Sequence, residues 1–125
     1  MQISYHKVKL AKRFPLAISR GVRSHSENLF LHLEKDGISA WGEAAPGSTE
    51  GASSVEEIQT ALEAFVAEGI EGLSIQALYD RARKEGIPPC AYVALDTALW
   101  DWTAKKEGFP SISFWAFLSL PHRLL

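Results

Sequence analysis

Two arginines three residues apart carry the sharpest chemistry in this chain. Arg20 and Arg23 lie in the run SRGVRSHS, flanking Gly21 among small polar residues. A guanidinium is a planar fork of donors that meets a carboxylate with two parallel hydrogen bonds. Gly21 lets a loop pass close to a ligand. The pair is a candidate grip for a substrate carboxylate; the residues alone favour the plainer alternative, two solvated cations on a loop. No second constellation competes. The histidines His6, His25, His32 and His122 lack metal-ligand spacing. There is no G-x-S-x-G and no phosphate-binding loop. The sole cysteine, Cys90, reads as a small buried residue in the first turn of a helix rather than a nucleophile. Glu56, Glu57, Glu63, Glu68, Glu71 and Asp80 read as solvated helix faces and caps. Asp96 and Asp101, neighbours of Trp100 and Trp102, read as a helix-surface pair or a cap on a nearby loop.

Composition narrows the setting of that chemistry. The 125 residues suffice for one modest domain, and 46% hydrophobic with 22% charged residues marks a globular chain. With a net charge of −2 and no basic patch, nucleic acid is excluded as a partner. A single cysteine permits no intrachain disulfide, so a reducing, cytoplasmic location is expected. The N-terminus MQISYHKVKL has no apolar region of signal-peptide length. The longest apolar cluster is in the C-terminal tail and is too short to cross a bilayer, so no membrane partner is expected.

The elements that must hold the arginines follow from periodicity. Residues 2–10 lean towards a strand. Asn28 to Glu34 alternates, with Leu29, Leu31 and Leu33 on one face and Phe30, His32 and Glu34 on the other. Asp36-Gly37 predicts a tight turn, and Ile38 to Ala44 returns as the partner strand. The expected sheet is a three-stranded antiparallel meander. Two long connections are expected as loops, Phe14 to Glu27 and Ala45 to Ser53, and loops of that length in a small domain commonly bind or move. Ser54-Val55-Glu56-Glu57 is a capping box, and Val55, Ile58, Leu62 and Phe65 continue it as an apolar stripe towards Gly69. A second helix is expected from about Ile75 to Lys84, between Ser74 and Gly86. A third spans Pro88 to Pro110, with Tyr92, Leu95, Leu99 and Trp102 as its stripe. Beside them lie Ala91, Ala94 and Ala98, a smooth flank for close packing. Asp101 and Lys105 are spaced to pair, and Gly108 stops the helix. Three strands followed by three helices define an α+β fold, a meander followed by a bundle of three helices.

Three motifs give this order of elements a family resemblance: WGEAAP at Trp41 to Pro46, ALDTALWD at Ala94 to Asp101, and KKEGFP at Lys105 to Pro110. Over residues 1–110 the chain resembles the N-terminal capping domain of the enolase superfamily, in its muconate-lactonising and mandelate-racemase-like branch. The run from Arg20 to Ser24 further resembles dipeptide epimerases that act on Ala-Glu-type dipeptides. Muconate cycloisomerase and o-succinylbenzoate synthase are the nearest rivals. The resemblance implies a reaction that removes the proton α to a carboxylate. It also implies lysines on a barrel as acid and base, and Mg²⁺ held by three barrel carboxylates. A barrel needs about 200 further residues. No catalytic or metal-binding residue therefore carries over, and Mg²⁺ is expected only in a barrel absent from this chain. What carries over is a lid of two loops, matching Phe14–Glu27 and Ala45–Ser53, with Arg20 and Arg23 as substrate contacts in an intact enzyme.

After G-F-P the pattern departs from the family. Residues 111–125 read SISFWAFLSLPHRLL, where the family continues with something like L-Y-Q-L-L-G. Regrouping suitable codons one base earlier restores that wording, so residues 111–125 are expected to be an out-of-frame apolar tail. The chain alone is then expected to be inactive. Its third helix, with Trp100 and Trp102, is the side expected to lack a partner and to associate with a barrel or a second copy. The rival from another class is a stand-alone module that binds a carboxylate or a protein.

Overall fold

A computed structural model describes residues 1–18, 21–47 and 51–108, and side chains for 1–9, 27–47 and 51–108. The order is β1 (Gln2–Ile18), β2 (Gly21–Lys35), β3 (Ile38–Ala44), α1 (Val55–Ala67), α2 (Ile75–Glu85) and α3 (Pro89–Lys106). The strands form one antiparallel sheet in the order β1-β2-β3. The expected meander and three helices are both present.

Alternation sets the faces of the sheet. Leu29, Leu31 and Leu33 of β2 and Ala40 and Ala44 of β3 are buried under the helices. Phe30, His32 and Trp41 take the opposite face. The β2–β3 turn has Asp36 at φ 53° and Gly37 at φ 77°, the left-handed pair that a two-residue hairpin requires.

The expected loop from Phe14 to Glu27 is corrected. β1 and β2 run on as a two-stranded arm, pairing Gln2–Ala11 with Glu34–His25 and then Leu16–Ile18 with Arg23–Gly21. Beyond Leu29, which pairs with Ala44, the arm leaves β3 behind. From Leu29 to Gly21 it extends roughly 25 Å at strand rise. An arm with no third strand beside it has no need of the period-2 apolar code, so the sequence gives no strand signal there. Pro15 lies in the register shift between Ala11 and Leu16, where its missing N–H interrupts no ladder bond.

The helices start and stop where local chemistry directs. Ser54 accepts a hydrogen bond from the Glu57 N–H and Ser74 one from the Ala77 N–H, while Gly86 closes α2 in the left-handed conformation. Pro88 and Pro89 begin α3, and Gly108 at φ 85° follows its end. α3 is the central element. It packs on β3 and β2 and also touches α1 and α2. That explains why it buries residues on several faces, among them Ala91, Tyr92, Ala94, Leu95, Ala98 and Leu99.

Candidate functional site: two connections at one end of the sheet

β1 ends, β2 begins and β3 ends towards the same end of the meander. The arm that carries the arginine run and the connection after β3 therefore leave the domain on one side. Arg23 lies on β2, its backbone opposite Leu16. Its side chain, and all of Arg20, fall outside the described residues.

The base of the second connection is fixed at several points. Gly47 donates from its N–H to the Ala52 carbonyl at 2.9 Å, closing the segment between them. Ala52 is buried. Gly51 has φ 92°, and a Cβ there would stand 3.2 Å from the Pro88 side chain, so this loop rests on the start of α3. The Glu57 carboxylate accepts from the Ser53 N–H at 3.0 Å and the Ser53 hydroxyl at 2.9 Å. Those bonds hold its titration below the usual carboxylate value. The capping box read from the sequence thus reaches one residue further back, to the last residue of the connection.

α3 holds the strand that feeds this connection. β3 is an edge strand, with one side of its backbone unpaired by the sheet. On that side the Trp41 N–H donates to the Asp101 carboxylate at 3.0 Å, and the Lys105 ammonium donates to the Ser39 carbonyl at 2.8 Å. Asp101 and Lys105 pair at 3.1 Å, as their spacing predicts. One residue along, a Cβ at Gly42 would lie 1.8 Å from the Ala94 carbonyl oxygen. Gly42 is therefore required by contact between backbones. WGEAAP and ALDTALWD, separate in the sequence, meet in the structure. Ala40, Gly42 and Ala44 facing Ala91, Ala94 and Ala98 was the available signal, two stripes of small residues that fit one another.

The unpartnered side of α3 needs correction. Trp102 is half-buried; its Nε1–H donates to the Lys35 carbonyl at 2.9 Å, tying the helix to the β2–β3 turn. Trp100 is also half-buried and makes contacts of its own. Among the described residues the large apolar side chains left most in water are Trp41 (46% exposed) on the open sheet face, Leu73 (45%) near Trp102, and Val93 (44%) and Tyr79 (41%) between α2 and α3. On the sheet face Trp41 stacks against His32 at 4.4 Å between ring centres and meets His6 at 5.7 Å. His32 also hydrogen-bonds Ser39. These histidines belong to a surface aromatic cluster. Among the described residues no three His, Cys, Asp or Glu side chains gather to hold a metal ion.

The fold and the two paired motifs define a known class. The chain belongs to the mandelate racemase / muconate lactonizing enzyme family, whose N-terminal domain matches residues 1–114. It is 66% identical over 98% of its length to a hydrophobic dipeptide epimerase of Flavobacteria bacterium, and 47% identical over 98% to one of Roseobacter litoralis. In each case it spans 35% of the relative's length. An enolase family member from Agrobacterium tumefaciens with homology to dipeptide epimerases, solved with sodium and L-Ala-L-Glu, superposes with a TM-score of 0.73 at 27% identity. That match covers 87% of this chain and 32% of the other. The dipeptide epimerase of Enterococcus faecalis, solved with Mg and L-Leu-L-Tyr, shares the fold at 19% identity and a TM-score of 0.78, over 90% of this chain and 33% of its own.

Proposed function

We propose that this chain is the substrate-selecting lid of a dipeptide epimerase, acting on hydrophobic dipeptides in place of the Ala-Glu type expected from the arginine run. The observation that carries the reading is the common exit of the β1–β2 arm and the Ala45–Ser53 connection from one end of the sheet. It is supported by the match, over 98% of the chain, to two hydrophobic dipeptide epimerases. In this reading Arg20 and Arg23 reach over the mouth of a barrel and bind the substrate carboxylate as a fork, while the fixed base of the second connection holds the other side of the lid. Closure excludes water from the reacting α-carbon. Mg²⁺, if bound by a barrel domain, would supply positive charge beside the substrate carboxylate. This chain alone turns nothing over, and it works in the cytoplasm.

The test is a chimera in which this chain replaces the N-terminal third of the flavobacterial hydrophobic dipeptide epimerase. The chimera should epimerise hydrophobic dipeptides with Mg²⁺. Arg20→Met and Arg23→Met should each raise KM roughly tenfold or more, the loss of a charge-assisted hydrogen bond. Unchanged KM in both variants would remove the arginines from the site. A folded chimera that epimerises no dipeptide would remove the substrate class. The out-of-frame reading of residues 111–125 is decided by the DNA beyond the Pro110 codon. It has to survive one fact: a match covering 98% of the chain runs well into that tail.

A further inference from the structure

Between α2 and α3 lies a groove of about 210 Å³, with Tyr79 and Arg83 on one wall and Tyr92, Val93 and Asp96 on the other. Tyr79 and Val93 are two of the few large apolar side chains left in water. Tyr92 is only 5% exposed, yet its hydroxyl has no hydrogen-bond partner. One turn along α3, the half-buried Asp96 carboxyl is pushed by burial above the usual carboxylate range. Buried polar groups in folded chains are nearly always satisfied, so an orphan hydroxyl in an apolar groove marks a missing neighbour. What is missing must bring an apolar stem for Val93 and Tyr79 and a hydrogen-bond donor for Tyr92 and Asp96. Arginine and lysine side chains combine the two. Arg83 lines the groove beside the Tyr79 ring, yet the Tyr92 hydroxyl receives no hydrogen bond from it.

We infer that this groove is a docking socket for an arginine or lysine side chain of the further domain that the longer relatives carry. The relatives supply the length: the chain covers 35% of the two hydrophobic dipeptide epimerases, leaving about two-thirds of each to pack elsewhere. The socket lies against the N-terminal half of α3, from Pro89 to Asp96. The inference rests on the family and not on the choice of substrate, and its test involves no turnover, so the two can fail separately.

The experiment titrates the isotope-labelled chain with n-butylguanidinium, with n-butanol and guanidinium at matched concentration as controls, and follows the Val93 methyl and Asp96 amide resonances. Butylguanidinium should give saturable shifts at least about fivefold tighter than either control, a ratio worth roughly 1 kcal/mol. Asp96→Asn should abolish that preference and Tyr92→Phe should reduce it, with far-UV circular dichroism unchanged. Equal response to butylguanidinium and butanol would make the groove merely apolar and overturn the socket. So would a preference that survives Asp96→Asn, or no saturable shift at all. Shifts that follow protein concentration and ignore butylguanidinium would assign the groove to a second copy of the chain, and would equally overturn it.

Discussion

Gly42→Ala is expected to be the most damaging single-methyl change in this domain. The added Cβ would stand 1.8 Å from the Ala94 oxygen, 2.8 Å from the Ala94 carbonyl carbon and 3.1 Å from the Ala98 nitrogen. A carbon–oxygen contact of this kind settles near 3.3 Å, so about 1.5 Å must be found by moving the strand or the helix bodily. No side chain can rotate away, because all three obstacles are backbone atoms. Over-packing costs about 1–3 kcal/mol when side chains yield; here the expected loss is at or above about 3 kcal/mol. Against a total stability of roughly 5–15 kcal/mol that is a large share, equivalent to a fall in Tm of about 10 °C. Gly37→Ala is the control. It meets nothing within 4 Å and carries only the strain of φ 77°, about 1 kcal/mol. Urea denaturation followed by circular dichroism measures both. If Gly42→Ala loses less than Gly37→Ala, the backbone contact between β3 and α3 is wrong, and with it the claim that α3 positions the second connection.

Three further outcomes are expected. Asp101→Ala strips the acceptor from the Trp41 N–H and the partner from Lys105, and should cost about 1–3 kcal/mol in the same assay, with faster hydrogen exchange at the Trp41 amide. Glu57 has its folded pKa depressed by Ser53, so its stabilising contribution is present above the ordinary value of 4.5 and is lost as the pH falls through the lower folded value. Glu57→Gln should flatten the acid limb of the stability curve between 4.5 and the lower folded value, and an unchanged limb would dismiss the Ser53 bonds. Asp96 shifts the opposite way: its folded pKa is raised, so the burial penalty is absent below about 3.8 and grows as the pH rises through the folded value. Asp96→Asn should therefore be at least as stable as the parent at neutral pH, and a loss of more than about 1 kcal/mol there would mean that the carboxylate already has a partner within the domain.

Much of the fold was legible because it is written in short-range code. The alternation from Leu29 to Leu33, the Asp36-Gly37 turn, the serine caps at Ser54 and Ser74 and the glycine stop at Gly86 each act within a few residues. The β1–β2 arm was not legible, because a ladder outside the core leaves no apolar period. Trp102 was misplaced for a related reason. Its helical stripe gives a direction, but only the arrival of the Lys35 carbonyl shows that the direction is filled.

By itself the sequence determined where each helix and core strand lies, which faces are apolar, and which two runs, SRGVRSHS and APGSTEGAS, stand outside that pattern. The tertiary structure alone decided that WGEAAP and ALDTALWD are one device, with Asp101 and Lys105 closing the edge of β3 and Gly42 admitting the Ala94 backbone. Local propensity acts over one or two turns of chain. The bonds from Trp41 and Ser39 to α3 span 60 and 66 residues, and only packing brings such partners together.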